Sequence, residues 1–333
     1  MTRTVLITDY DLPGSVAEDE LVAAGLHVNR AEETSESSII EAGEGASGLI
    51  VQWAPITARI MDALPDLRVI SRLGIGVDMI DIPAATARGI AVANTPSYCI
   101  EEVASHSIAM LMTLARGIAG YDRAVRDGSW KATNAAPMAV RPSRTTVGIV
   151  GYGRIGSLVA KGCAALGFAV IVADPYVPSE RIIADGFRYV TREEAIASAD
   201  LLSLHVPLTD ETYHLLNAGS LERMKLGAAI VNTCRGALID EIALASAVES
   251  GHLSGAALDV FGAEPLSSTS RLREVQGILL SPHAAWYSPE SLVDLPLHAA
   301  ANVIRFLAGE ELSSTIVNPD FGSVAGVSAR GAR

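Results

Sequence analysis

The sequence predicts an α/β fold made of two doubly wound parallel sheets. Short apolar runs bounded by turn residues alternate with amphipathic segments over the first hundred residues, and the same alternation restarts after residue 145. Parallel strands need crossover connections, usually helices, so repeated βα alternation implies a sheet covered on both faces. With 333 residues, 49% of them hydrophobic, the chain can bury two cores.

Taken in order, Val5 to Thr8, Gly48 to Gln52, Leu67 to Ser71 and Ile90 to Asn94 read as strands, with helices over 16–24, 58–64 and 81–88. A long helix is predicted from Ile100 through Arg126. No proline interrupts it, and Val103, Ile108, Leu111 and Leu114 recur at helical spacing, although Gly117 and Gly120 leave its end open. Asp127 to Arg144, with Trp130, Pro137 and Pro142, reads as irregular and too long for an ordinary connector, which suits an arm packing on a partner subunit. Strands follow at Thr146 to Gly151, Ala169 to Ala173, Leu201 to His205, Ala228 to Asn232, Gly255 to Val260 and Ile278 to Ser281. A helix over Ser288 to Leu307 can carry the chain back to the first domain, and the last dozen residues read as a loose tail.

A formal net charge of -13 argues against a nucleic-acid or anionic-membrane surface, both of which need clustered basic residues. Cys99, Cys163 and Cys234 are scattered and lack metal-type spacing, so neither disulfides nor a metal site is expected. The apolar run Val5-Leu6-Ile7 is too short for a signal-peptide core or a membrane span. A cytoplasmic protein is expected.

The strand ending at Val150 leads into Gly151-Tyr152-Gly153-Arg154-Ile155-Gly156, and a helical stretch follows directly. This strand, G-x-G-x-x-G, helix pattern is the Rossmann dinucleotide fingerprint. The first glycine makes the turn, the second lets a pyrophosphate approach the backbone, and the third lets helix and strand pack closely. Asp174 ends the next strand, where an acid binds the adenosine ribose hydroxyls and repels a 2'-phosphate, so NAD is expected over NADP.

Hydride transfer between an alcohol and a nicotinamide needs a base for the hydroxyl proton, and an anionic substrate needs a cation to hold it. His283 follows Ile278-Leu279-Leu280-Ser281-Pro282, Arg235 follows a strand ending at Asn232, and Glu264 follows Leu258-Asp259-Val260-Phe261. Three strand ends thus bring an imidazole, a guanidinium and a carboxylate to the sheet edge where α/β folds bind ligands. A carboxylate beside histidine stabilises imidazolium and orients the ring, and arginine offers a planar fork for a carboxylate. A structural ion network among the three is the alternative. His27, His106, His205, His214, His252 and His298 show no such arrangement and read as structural or solvent-facing.

In order and spacing, Gly151 to Gly156 with Asp174, Asn232-Thr233-Cys234-Arg235-Gly236, Ala257 to Phe261 with Glu264-Pro265, and Ser281-Pro282-His283 resemble the D-isomer-specific 2-hydroxyacid dehydrogenase family. The resemblance covers nearly the whole chain. It implies NAD-dependent interconversion of a D-2-hydroxy acid and a 2-oxo acid, with Arg235 binding substrate, Glu264 partnering the histidine and His283 as acid/base. It implies a flavodoxin-like substrate domain over 1–98 plus 290–333, split around a Rossmann cofactor domain over 99–289. Gly74-Ile75-Gly76-Val77-Asp78 resembles the family's substrate loop, whose backbone amides bind the carboxylate. The resemblance further implies that Arg154 and Ile155 lie on the pyrophosphate, that Val206 and Pro207 flank the adenine side, and that Thr233, Cys234 and Asp259 meet the nicotinamide portion. A homodimer through the cofactor domains is implied as well.

Gln52-Trp53-Ala54-Pro55 and His283-Ala284-Ala285-Trp286-Tyr287-Ser288 are most similar to the branch containing the C-terminal-binding protein corepressors. That similarity implies Trp286 against the substrate's side chain, the alternative being a packing aromatic. It also opens a second reading, an NAD-sensing binding protein. Formate dehydrogenases resemble the chain less, because glutamine stands where Glu264 does; phosphoglycerate dehydrogenase remains compatible.

Overall fold

The computed structural model describes residues 2–135, 139–312 and 314–323; Pro137 of the expected arm and residues 324–333 of the expected tail lie outside them. The chain divides into two units, Met1–Cys99 with Tyr287–Arg333, and Ile100–Trp286.

The first unit runs β1 (Thr4–Ile7), α1 (Val16–Ala23), β2 (His27–Arg30), α2 (Glu36–Ala42), β3 (Ala46–Val51), α3 (Ala58–Ala63), β4 (Val69–Arg72), α4 (Ile82–Ala87) and β5 (Ala91–Ala93). All pairings are parallel, in the order β2-β1-β3-β4-β5, which is the flavodoxin-like order. The helices start where side chains satisfy their first amides: Ser35, Thr57 and Asp81 accept from Ser38, Ile60 and Ala84, with Pro83 in the first turn of α4. Apolar runs such as Gly-Leu-Ile-Val in β3 are buried on both faces. β2 and α2 lie outside the expected elements for a physical reason: β2 is an edge strand with a polar, part-exposed pattern, and Ile39 is the buried residue of α2.

The second unit opens with α5 (Ile100–Arg116), α6 (Ile118–Arg126) and α7 (Ala132–Ala135). The expected single helix over 100–126 is therefore two. Gly117 takes the left-handed conformation at φ 65°, which ends one helix and caps the next. Within the expected irregular stretch lie α7 and a 3₁₀ turn at Pro142–Arg144. The sheet follows as β6 (Thr146–Val150), α8 (Arg154–Ala165), β7 (Ala169–Ala173), α9 (Ser179–Ala184), β8 (Arg188–Tyr189), α10 (Arg192–Ser198), β9 (Leu201–Leu204), α11 (Ala218–Glu222), β10 (Ala228–Asn232), α12 (Glu241–Glu249), β11 (Leu253–Leu258) and β12 (Ile278–Leu280). Its order is β12-β11-β10-β9-β6-β7-β8, the Rossmann order with one strand added. The order reverses between β6 and β9, so ligand chemistry is expected beyond the carboxyl ends of those two strands. Two apolar clusters cover the sheet, one around Leu202, Ile230 and Leu244, the other around Val147, Val159 and Leu111.

The chain then returns to the first unit as α13 (Ser291–Leu307), which packs on α1, β3 and β4. Its Asn302 donates to Ser71 Oγ (3.3 Å) and to the Asn94 carbonyl (3.0 Å). A Cβ at Gly48 would lie 2.9 Å from Val303, so strand and helix meet at that glycine. Among the described residues, no helix is long and apolar enough to cross a membrane, and no group of three or more His, Cys, Asp or Glu is arranged to hold a metal.

Candidate active site

The glycine turn sits at the switch point. Gly151 has φ 97°, and a Cβ there would lie 2.2 Å from the His205 carbonyl, so β9's continuation passes directly beneath the turn. A Cβ at Gly156 would lie 2.1 Å from the Gly151 carbonyl, whereas one at Gly153 would meet nothing within 4 Å. Two glycines are thus required by the protein's own packing, and the middle one borders open space. Gly153 caps α8 without a side-chain hydrogen bond, so the positive end of this helix, with Arg154 and Ile155 in its first turn, adjoins the glycine turn, a setting that favours an anion. That cradle fits a pyrophosphate.

Asp174 follows β7. Its Oδ1 accepts from the amides of Tyr176 (2.8 Å) and Val177 (2.9 Å), and its Oδ2 from the Tyr152 amide (2.6 Å). The carboxylate is therefore locked against the glycine turn. Tyr152 is wholly buried and its hydroxyl donates to Asp185 Oδ2 (2.7 Å), a tether that the sequence did not reveal. Burial, then the Asp185 carboxylate, push that phenol's pKa up. Val206 borders Gly151, and the exposed Pro207 offers its carbonyl to Thr212 Oγ1 (2.7 Å).

The proposed triad comes from the ends of β10, β11 and β12. His283 Nδ1 lies 2.7 Å from Glu264 Oε2, with both side chains about a quarter to a third exposed (25% and 31%). Burial pushes the Glu264 carboxyl up. The hydrogen bond and charge of His283, the Phe261 amide and the charge of Arg235 outweigh burial and hold it below its ordinary range. His283 has a positive φ of 52°, which a side chain rarely adopts, and its amide donates to the Asp259 carbonyl (2.8 Å). The strained residue is held by Asp259. This carboxylate, with no exposed surface, accepts from Ser281 Oγ, from the Ala284 amide (2.9 Å) and from the Ala285 amide (2.8 Å). Expected to meet the cofactor, Asp259 is thus also the brace of the histidine loop.

Arg235 follows a turn in which Asn232 accepts from the Cys234 amide (3.0 Å) and donates to the Arg235 carbonyl (2.8 Å). Its guanidinium donates to the Cys234 carbonyl (2.7 Å). The Cys234 thiol donates to the Leu204 carbonyl (2.9 Å), and burial pushes its pKa up to about 12, which makes it an inert filler. Thr233 Oγ1 pairs with Ser107 Oγ (2.9 Å) of α5. From the same helix, His106 Nε2 stands 3.4 Å from Ser281 Oγ and 3.9 Å from Asp259 Oδ1. His106 carries no local signal, because its partners Ser281 and Asp259 lie more than 150 residues away. Trp286 is half-buried at the end of this unit.

In the first unit, the loop after β4 carries Gly74, Ile75 and Gly76. The Gly74 amide is taken by Thr95 Oγ1 (2.9 Å) and the Arg72 carbonyl (3.0 Å). Among the described residues, the amides of Ile75 and Gly76 donate to nothing.

The family profile described as "D-isomer specific 2-hydroxyacid dehydrogenase, NAD binding domain" matches residues 108–285. A D-3-phosphoglycerate dehydrogenase of Mycobacterium leprae is 37% identical over 323 residues, covering 96% of this chain and 60% of that protein. Others of that name, from Synechocystis and Mycobacterium bovis, are covered over 51% and 57% of their own length. The chain therefore spans little more than half of these relatives. A glyoxylate reductase of Korarchaeum cryptofilum is 37% identical over 289 residues, 86% of this chain and 87% of that protein. Among solved structures, the TT0316 protein of Thermus thermophilus superposes with a TM-score of 0.81 at 35% identity, over 94% of this chain and 99% of that one. The D-lactate dehydrogenase of Aquifex aeolicus, complexed with NAD and lactic acid, superposes at 0.85 with 27% identity, over 94% and 99%. With the glycine turn, the doubly wound sheets and these matches together, the chain belongs to the D-isomer-specific 2-hydroxyacid dehydrogenase family, and its Ile100–Trp286 unit carries the family's NAD-binding domain.

Proposed function

We propose that the chain is an NAD-dependent oxidoreductase that interconverts a D-2-hydroxy acid and a 2-oxo acid. The observation that carries this reading is the His283–Glu264 pair, held at a strand end of an NAD-binding domain by a buried, fully engaged Asp259. When bound, NAD supplies the hydride acceptor, and NADH the donor, at the carbinol carbon. With Nδ1 committed to Glu264, Nε2 of His283 exchanges the substrate proton: it takes the hydroxyl proton in oxidation and returns one to the carbonyl oxygen in reduction. Glu264 orients the ring and stabilises its cationic form. Arg235 binds the substrate as an anion and polarises the carbonyl, while the amides of Ile75 and Gly76 are offered to the carboxylate and Trp286 to the side chain. Asp174 favours NAD over NADP, since its ionised carboxylate repels a 2'-phosphate.

The retained triad and relatives named as enzymes support turnover over a purely sensing role. The test is NADH oxidation across a panel of 2-oxo acids, with His283→Ala beside the parent. The variant is expected to lose roughly 10²–10⁴-fold in turnover while still binding NADH. Unchanged activity overturns the mechanism; intact NADH binding with no turnover of any acid by the parent favours the sensor.

A homodimer through the cofactor-domain arm is part of the same reading. Among its described residues α6 buries none, and Ile118, Val125 and the following Trp130 are 52%, 52% and 89% exposed. An amphipathic helix with an uncovered apolar face suits a second copy of the chain, since symmetric dimers are the commonest oligomer. Three free cysteines suit a reducing, cytoplasmic compartment.

A further inference from the structure

Two consecutive residues of α5 reach the strand ends that carry the reacting groups. Ser107 Oγ donates to the Val103 carbonyl (2.7 Å), so it accepts from Thr233 Oγ1 (2.9 Å) and anchors the turn that leads to Arg235. His106 reaches the next strand end but one. Its Nε2 stands 3.4 Å from Ser281 Oγ, at the end of β12 and two residues before His283. The Ser281 hydroxyl hydrogen is spent on Asp259 Oδ1, so Ser281 Oγ can only accept, which makes Nε2 of His106 the donor. The same nitrogen is 3.9 Å from Asp259 Oδ1. Donors thus converge on one carboxylate, from His106 through Ser281 and directly from the amides of Ala284 and Ala285, while the Asp259 carbonyl accepts from the His283 amide. The imidazole of His106 is 31% exposed and Asp259 not at all, so His106 is the outermost member of a chain that runs inward.

We propose that His106 is a positioning residue: by donating to Ser281 it fixes the Ser281–Asp259 hydrogen bond, and with it the backbone from which His283 meets Glu264. This rests on the dehydrogenase reading above. His283 holds a φ of 52°, a conformation that persists only where its surroundings over-determine it. Without the His106 donor, Ser281 Oγ has a lone pair unmet and turns more freely away from Asp259. The buried carboxylate is then one donor short, and networks of this kind lose more than a single contact when a member goes. Ser281 and His283 share the same short segment, and the Ser281 carbonyl accepts from the His283 amide (3.1 Å). Disorder at the serine therefore passes straight to the catalytic ring. A displacement of about 1 Å in a reacting group is enough to slow the chemical step while leaving substrate binding nearly intact. The competing view is that His106 only packs on the face of α5.

The test uses the full chain with the best of glyoxylate, 2-oxobutyrate and hydroxypyruvate as NADH oxidant. His106→Leu keeps a good helix former of similar size and removes the donor; it is expected to lower kcat about tenfold, with KM and NADH affinity within about twofold of the parent. His106→Gln restores an N–H at the Nε2 position and is expected to recover most of that loss. Combining His106→Leu with Ser281→Ala is expected to cost no more than the worse single variant, because both cut one chain. An unchanged kcat in His106→Leu overturns the proposal, as do additive losses in the double variant or a glutamine no better than leucine. A second measurement needs no turnover: the ring-nitrogen NMR signals of His283 in histidine-labelled protein, assigned by their loss in His283→Ala. The Nδ1 signal, which reports the bond to Glu264, is expected to shift or broaden in His106→Leu and to return in His106→Gln. An Nδ1 signal unmoved in His106→Leu overturns the proposal whatever happens to kcat. If the parent reduces none of the acids yet the signal responds in this way, the dehydrogenase reading fails and the positioning assignment stands.

Discussion

At the scale of single residues, His205 shows how burial becomes a pH dependence. Its ring meets Ser203 Oγ at 2.9 Å through Nε2, Nδ1 has no partner among the described residues, and burial pushes its pKa from 6.5 down to about 4. In the unfolded chain the imidazole regains its ordinary proton affinity. Between pH 6.5 and about 4 the unfolded state then binds more protons, so stability present at neutral pH is lost as pH falls through that window. His205→Gln removes the titration, and its melting temperature is expected to fall less over that range than the parent's. Superimposable slopes in thermal melts across pH 4–7 would refute the assignment. Glu264 works in the same direction at lower pH: its depressed folded value makes it stabilising above its ordinary 4.5, and that contribution is lost as pH falls through the folded value. Its larger effect is on chemistry. Glu264→Gln removes the carboxylate that orients the His283 ring, so kcat/KM for 2-oxo acid reduction is expected to fall at least about tenfold with NADH affinity unchanged, read from steady-state kinetics and fluorescence titration. Unchanged kcat/KM would mean that the pair is only structural.

At the scale of elements, the glycine turn makes opposite predictions for its second and third glycines. Gly153→Ala places a methyl in open space at the N-terminus of α8, so the fold is expected to tolerate it within about 0.5 kcal/mol, while NADH affinity falls at least about tenfold. Gly156→Ala drives a methyl into the Gly151 carbonyl and is expected to lower the melting temperature itself. Fluorescence titration and thermal melts on both variants separate the two; equal melting losses would deny that Gly153 faces a ligand. This turn was legible from sequence because its chemistry is local: strand, glycines and helix are contiguous, and Asp174 follows at fixed distance. The strand ends bearing Arg235, Glu264 and His283 were legible for the same reason. What stayed hidden depends on partners remote in the chain or on weak patterning. The bracing role of Asp259 shows only once Ser281, Ala284 and Ala285 fold over it. Polar β2 and two-residue β8 leave no apolar run, and the break at Gly117 is a backbone conformation that helical spacing on either side conceals.

At the scale of the molecule, the exposed apolar stripe of α6 predicts association. Val125→Glu puts a charge on that stripe, where nothing in the monomer is disturbed, and is expected to shift the mass by light scattering from two chains to one with the melting of the monomer preserved. A parent that elutes as a monomer at micromolar concentration would remove the premise. The return of the chain through α13 has a consequence for synthesis on the ribosome. All of 100–286 emerges before the helix that supplies Asn302 and Val303 to the 1–99 sheet exists. The nucleotide unit can complete its own core while the earlier-made sheet still waits, its Ser71 and Asn94 partners unmet. The sheet of 1–99, made before 100–286, thus finishes folding after them, and it is the part that needs shelter from aggregation in the interval.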